Sequence, residues 1–107
     1  MASEIVVALS TFPDVETARR IVREIVEYHL AACGNIVPQV ESIYRWEGKV
    51  ESNNEALVIF KLPRERYEEF ENKLRTLHPY DVPEILCFPV SGGSADYLVW
   101  VGEVCAR

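Results

Sequence analysis

The stretch "QVESIYRWEGKVESNNEALVIFKL", Gln39 to Leu62, decides the fold. Its first part alternates with a period of two, and strands place successive side chains on opposite faces. One face would carry Val40, Ser42, Tyr44 and Trp46, and the other Glu41, Ile43 and Arg45. The segment "EGK" predicts a tight turn around Gly48, after which a second strand returns with an apolar centre at Ala56 to Phe60. With the first strand taken to begin at Cys33, the stretch therefore predicts one long β-hairpin.

The residues before the hairpin predict one strand and one helix. The segment "EIVVALSTF", Glu4 to Phe12, is a continuous apolar run typical of a covered strand. An amphipathic pattern follows, starting at the favoured N-cap residue Asp14 and ending before Gly34. The helix face predicted from this pattern carries Val15, Ala18, Val22, Ile25 and His29.

After the hairpin, Pro63 stops the strand and a second helical pattern runs to His78. Its apolar stripe consists of Tyr67, Phe70, Leu74 and Leu77. The segment "EILCFPV" predicts a fourth strand, and "DYLVWVGEVCAR" a short terminal helix. The order β-α-β-β-α-β, followed by α, is the ferredoxin-like split β-α-β arrangement of an α+β protein, and we expect residues 1–107 to form a single domain.

The hairpin is long for so small a protein. Its strands exceed the usual mean of about 5 to 6 residues, so part of it should project beyond the helices. That part carries Tyr44 and Trp46, whose exposure would cost about 1.5 to 3 kcal/mol each. A second copy of the chain would cover these rings and pair the free strand edges, so the sequence predicts a homo-oligomer.

Composition excludes several classes of function. The chain has 11 basic and 17 acidic residues, a formal charge of −6 that disfavours nucleic acid as a partner. Its N-terminal apolar run is too short for a signal peptide or membrane span, so we expect a cytoplasmic protein without membrane insertion. The three cysteines lack metal-knuckle spacing and are expected to be reduced. No catalytic motif or organic-cofactor motif is present, and we expect no enzyme.

Five motifs carry a resemblance to a known family: "TFPD" (11–14), "LAACGNIVP" (30–38), "SIYRWEGKVE" (42–51), "HPYDVPEI" (78–85) and "DYLVW" (96–100). In order and spacing the chain resembles the CutA divalent-cation-tolerance proteins along nearly its whole length. The resemblance implies a ferredoxin-like protomer assembled as a homotrimer and a role in tolerance of copper and other divalent cations. It also implies a shape similar to the PII signalling trimers, which bind small ligands between subunits. Animal members are tied to anchoring a membrane esterase, which leaves a protein partner as a further alternative.

The connector "HPYDVPEI" holds the main metal-ligand candidates. Neutral imidazole binds Cu²⁺ and Zn²⁺, and Asp81 and Glu84 lie close enough to His78 in sequence to share a site. The alternative is that His78 caps the end of the second helix before Pro79. Some bacterial relatives with an assigned copper site have a cysteine at the position of Ser10 and a histidine at that of Leu77. Any metal site is therefore expected to be of modest affinity or shared between subunits.

Two other groups of residues have alternative interpretations. Cys33 is either a thiolate ligand, as the recurring family cysteine at this position suggests, or a small core side chain. Aromatic walls with a few polar groups are what small-ligand clefts require. Tyr44, Trp46, Lys61 and Tyr80, together with Glu84, could therefore line a cleft or form contacts of the trimer interface.

Overall fold

The computed structural model describes residues 4–106. Along the chain the elements are β1 (Ile5–Phe12), α1 (Val15–Glu27), β2 (Cys33–Trp46), β3 (Lys49–Pro63), α2 (Tyr67–Leu77), β4 (Ile85–Pro89) and α3 (Ala95–Val104), with a 3-10 turn at Arg64–Arg66 between β3 and α2. Within this range no helix is long and apolar enough to cross a membrane.

The four strands form one antiparallel sheet in the order β2-β3-β1-β4. Helices α1 and α2 pack on one face, where the buried core includes Phe12, Ile25, Phe60 and Phe70. This arrangement confirms the predicted ferredoxin-like α+β fold. A smaller cluster, in which α3 contributes Val101, lies at one end of the sheet.

Helix α1 begins as predicted, but its predicted end is wrong. The side chain of Asp14 accepts a hydrogen bond of 2.7 Å from the amide of Thr17, which satisfies one of the free amides of the first turn. The helix ends at Glu27 and does not continue toward Gly34. His29 has a φ of 61° and therefore lies outside the helix, with its Nδ1 atom 3.0 Å from the carbonyl oxygen of Val104. A left-handed residue of this kind terminates a helix because it turns the next amides back toward the last carbonyls.

The hairpin confirms the predicted strands and turn. Glu47 and Gly48 have φ values of 50° and 80°, as a two-residue type I′ turn requires, and Trp46 pairs with Lys49 across it. A β-bulge lies between Val37 and Val40. Beyond this bulge the hairpin is largely exposed, and it accounts for the elongated shape of 48 × 25 × 22 Å.

The sheet has a second face, opposite α1 and α2, which we call the open face. Residues paired across antiparallel strands share a face, so the register defines its members. Its apolar members include Val7, Leu9, Val37, Leu57, Ile59, Leu86 and Phe88, and further along the hairpin Tyr44 and Trp46. Polar and charged residues share this face, among them Asn35 and Lys61 and, on the hairpin, Glu51 and Glu55. Several of these apolar side chains are strongly exposed, including Trp46 at 53%, Leu86 at 49% and Phe88 at 46%. The open face therefore carries exposed apolar side chains that no helix of the described residues covers.

We expect Gly34→Ala to lower the free energy of unfolding by about 1 to 3 kcal/mol, because an added methyl group would overpack the core. A Cβ at this position would lie 2.8 Å from Cγ1 of Val22 and 3.3 Å from Cδ1 of Phe60. The matched control is Gly92→Ala, whose Cβ would meet nothing within 4 Å. Urea denaturation of both variants at one protein concentration measures the difference, and equal midpoints would contradict the packing described for Gly34.

Candidate functional site

His78 is the first residue of the connector that joins α2 to β4, and it is buried. The residue is 7% exposed, and its ring stacks on Phe12 with centroids 4.6 Å apart and an interplanar angle of 19°. Nδ1 is 3.1 Å from the amide nitrogen of Tyr80, and Nε2 is 2.8 Å from the carbonyl oxygen of Thr11. An amide can only donate, so Nδ1 accepts from Tyr80, while Nε2 carries the hydrogen and donates to Thr11. Both ring nitrogens are therefore used by the backbone.

The same environment keeps His78 neutral. Burial lowers the pKa of its imidazole, and this effect outweighs the hydrogen bond to the Thr11 carbonyl and the charge of Glu55, which both act to raise it. The helix-capping interpretation is partly met, because the amide of His78 donates to the carbonyl of Leu74. The ring itself ties the connector to β1.

Tyr80 links the connector to the hairpin. Its hydroxyl donates a hydrogen bond of 2.7 Å to Oε2 of Glu55 on β3, and its ring centroid lies 4.9 Å from that of His78. Burial raises the pKa of the Tyr80 phenol, and the hydrogen bond to Glu55 raises it further. The phenol therefore stays protonated and remains a donor to the carboxylate.

A cleft of about 990 Å³ lies between the connector and the hairpin. Its lining combines carboxylates from both walls with aromatic rings. The carboxylates are Glu41, Glu55, Asp81 and Glu84, and the rings are Tyr44, Trp46 and Tyr80. The remaining lining is apolar (Pro13, Ile43, Pro79 and Val82) or uncharged polar (Thr11, Ser42, Asn53 and Asn54). No described residue of the lining is Lys, Arg or His, so the cleft has a strongly negative charge balance.

Few internal interactions offset this negative charge. Glu41 accepts a 3.2 Å hydrogen bond from Ser52, and Glu55 accepts the bond from Tyr80. Neither they nor Asp81 and Glu84 take part in a salt bridge within residues 4–106. Tyr44 is held in place through its hydroxyl, which accepts a hydrogen bond from the side-chain amide of Asn53. The cleft therefore offers oxygen ligands and negative charge to a cation.

The structure brings together only some of the residues predicted from the sequence. The cleft lining includes Tyr44, Trp46, Tyr80, Asp81 and Glu84, whereas His78 is buried and is not part of the lining. Across residues 4–106 no three His, Cys, Asp or Glu side chains are grouped closely enough to form a metal site. A preformed site with His78 as ligand is therefore not present in the described part of the chain.

Cys33 and Lys61 lie away from the cleft lining. They are register partners on β2 and β3, beyond the bulge from Tyr44 and Trp46. Sγ of Cys33 lies 3.6 Å from the hydroxyl of Tyr97 on α3, so the thiol packs at a junction between sheet and helix. All three cysteines are free thiols.

Sequence reasoning missed Glu41 and Glu55 as site residues. Both are on the projecting part of the hairpin, where acidic side chains are ordinary surface residues. Only the return of the connector over β3, through Tyr80, turns them into the wall of a cleft. The available signal was the coincidence of acids with the aromatic side chains of the same hairpin.

The fold and cleft define a class: a ferredoxin-like protein with a projecting hairpin, an open apolar sheet face and an acidic cleft. The chain matches the family described as CutA1 divalent ion tolerance protein over residues 6–104. It belongs to this family. The family's name describes tolerance of ions and no chemical reaction.

Individual relatives support the assignment. The Divalent-cation tolerance protein CutA of Thermus thermophilus is 43% identical over 97 residues, covering 91% of this chain and 94% of that protein. The chloroplastic Protein CutA of Arabidopsis thaliana is 43% identical over 96 residues, covering 90% of this chain but 53% of that protein. The chain thus spans about half the length of the plant relative.

Solved structures show the same fold. The crystal structure described as the periplasmic divalent cation tolerance protein CutA of Archaeoglobus fulgidus superimposes with a TM-score of 0.92 at 32% identity, covering 95% of this chain and 99% of that one. Relatives are thus named chloroplastic or periplasmic, and a cytoplasmic location of this chain stays a prediction.

Proposed function

We propose that this protein acts in divalent-cation tolerance by binding divalent ions such as Cu²⁺ or Zn²⁺ at the mouth of the acidic cleft. The observation that supports this proposal is the composition of the cleft lining, which has carboxylates on both walls and no basic side chain among the described lining residues. Such a lining raises the local concentration of cations and supplies oxygen ligands. The names of the relatives agree with this role.

Asp81 and Glu84 are the main ligands in this proposal. Both are exposed, both lie on the connector, and the prolines Pro79 and Pro83 limit its backbone freedom. His78 acts as a positioning residue, because its ring bonds to Thr11 and Tyr80 and so fixes where the connector starts. Cys33 does not line the cleft, and we retain it as a ligand only for a site shared between subunits. Oxygen ligands that are not preassembled into a cluster among residues 4–106 imply modest affinity.

We further propose that the protein works as a homotrimer. The open face and the projecting hairpin expose an apolar surface that includes Trp46, Leu86 and Phe88. Monomeric proteins rarely leave large apolar patches uncovered, and closed symmetry would also consume the free strand edges. The cleft adjoins this surface through Tyr44 and Trp46, so assembly would border the cleft with a neighbouring subunit.

Calorimetric titration of Cu²⁺ and Zn²⁺ into the tag-free protein tests the ligand assignment. We expect the double variant Asp81→Asn with Glu84→Gln to weaken binding at least about tenfold, since charged ligands dominate the site. The control is Glu68→Gln on α2, which removes one negative charge outside the cleft. Equal affinity in the double variant and the unmodified protein would refute the proposed ligands.

A further inference from the structure

The hydrogen bonds of His78 are compatible only with a neutral ring. Its Nδ1 atom accepts a hydrogen bond from the amide of Tyr80 at 3.1 Å, and its Nε2 atom donates to the carbonyl of Thr11 at 2.8 Å. A proton added at Nδ1 would point at the N–H of Tyr80, and two donors cannot bond to each other. Protonation of the ring therefore requires that the bond between His78 and Tyr80 break.

Few other bonds hold the connector in place. Between Pro79 and Glu84 the described structure has no backbone–backbone hydrogen bond. Tyr80 makes the two bonds that fix this segment, because its amide donates to His78 and its hydroxyl donates to Glu55 at 2.7 Å. Segments with few backbone bonds open at a lower free energy than the strands of a core. The connector can therefore separate from its neighbours without unfolding of the sheet.

We propose that protonation of His78 releases the connector while the sheet stays folded, so that the bond between His78 and Tyr80 acts as a pH-sensitive switch. This inference concerns the position of the connector and does not depend on any ligand. Where Asp81 and Glu84 bind an ion, release of the connector also displaces these ligands in acid. That consequence alone rests on the proposed function.

The groups packed around the ring leave burial as the dominant influence. On β1 these groups are Phe12 and the carbonyl of Thr11, which do not titrate, and the last turn of α2 contributes a backbone carbonyl to the amide of His78. The charge that acts on the ring is the Glu55 carboxylate of β3, which favours the protonated form. The phenol of Tyr80 stays neutral, because burial and the bond to Glu55 raise its pKa.

The direction of the pH effect follows from this balance. Burial lowers the pKa of His78 in the closed conformation below the usual value of about 6.5, which the exposed ring of the open conformation regains. The open conformation therefore binds the proton first as the pH falls. Below about pH 6.5 its population should rise by up to about tenfold per pH unit, until the closed ring also titrates.

Amide hydrogen exchange followed by NMR between about pH 5 and pH 8 tests the release in the metal-free protein. We expect the Tyr80 amide to be at least about tenfold less protected than that of Phe60 on the central strand β3, since the connector opens without the sheet. After correction for the intrinsic rate of exchange, its protection should fall by up to about tenfold per pH unit below about pH 6.5. Equal protection of the two amides, or protection of Tyr80 that does not change with pH, would overturn the proposal.

Three variants assign the pH dependence to one bond. His78→Gln offers an acceptor to the Tyr80 amide that does not titrate, so the pH dependence of its protection should disappear. Tyr80→Phe removes only the bond to Glu55, so the backbone amide at position 80 should keep the pH dependence. His29→Asn is the matched control, because this second histidine bonds to the carbonyl of Val104 on α3 and should not affect the connector. An unchanged pH dependence in His78→Gln, or its loss in either of the other variants, would overturn the proposal.

Discussion

Replacing Tyr44 and Trp46 together by alanine is expected to convert the proposed homotrimer into monomers at micromolar protein concentration. The two rings lie on the projecting hairpin with exposed fractions of 39% and 53%, and the register places them on the same side as the open face. Covering such side chains stabilises an assembly by about 1.5 to 3 kcal/mol each, and three equivalent interfaces multiply this contribution. Multi-angle light scattering gives the mass directly.

A matched control separates the position of the rings from aromatic loss in general. Tyr28 follows α1, is 52% exposed and lies over Lys73 of α2, away from the open face. Its replacement by alanine should leave the mass unchanged. If the Tyr44 and Trp46 double variant keeps the mass of the unmodified protein, the account of the hairpin as an interface is contradicted.

His78→Ala is expected to lower the free energy of unfolding by about 2 to 4 kcal/mol. The substitution removes a buried ring stacked on Phe12 and leaves the Thr11 carbonyl and the Tyr80 amide without their partner. His78→Gln, which retains polar atoms near both groups, should lose less. Denaturant titrations at one protein concentration give the comparison, and a loss below about 0.5 kcal/mol in His78→Ala would contradict a buried, doubly bonded ring.

The same residue makes stability depend on pH. Burial lowers the pKa of His78 in the folded protein below its unfolded value of about 6.5, so the unfolded chain binds the proton more readily. Stability from this source is complete above about pH 6.5 and falls as the pH drops from there toward the lowered pKa. The His78→Gln variant should lack this part of the pH dependence. An identical pH profile in both proteins would exclude His78 as its origin.

The sequence predicted the elements well because their signals are local. The period of two before Glu47, the glycine at position 48 and the N-cap at Asp14 each determine structure over a few residues. The end of α1 escaped prediction because the residue in the left-handed conformation is His29, whereas the residue that usually ends a helix in this way is glycine. Its placement is supported by α3, which is distant in sequence.

The site was predicted only in part, because some of its interactions join residues that are distant in sequence. The connector, Tyr80 and the two hairpin aromatics have polar or aromatic patterns that stand out in the sequence. The partners of His78, by contrast, are backbone groups, and one of them is in Thr11, 67 residues away. A hydrogen bond to a backbone group does not require a particular residue type, so the sequence gives no signal for it. Burial of His78 by Phe12 and the connector is a result of packing, and it makes the ring a structural support in the described conformation.

The most direct test of the central claim is to locate the ion. Anomalous diffraction from crystals soaked in Zn²⁺ should give a peak in the cleft, about 2.0 to 2.2 Å from carboxylate oxygens of Asp81 or Glu84. This result would assign the acidic cleft as the cation site. A peak at Cys33 alone, at any site outside the cleft, or no peak at saturating Zn²⁺ would contradict it.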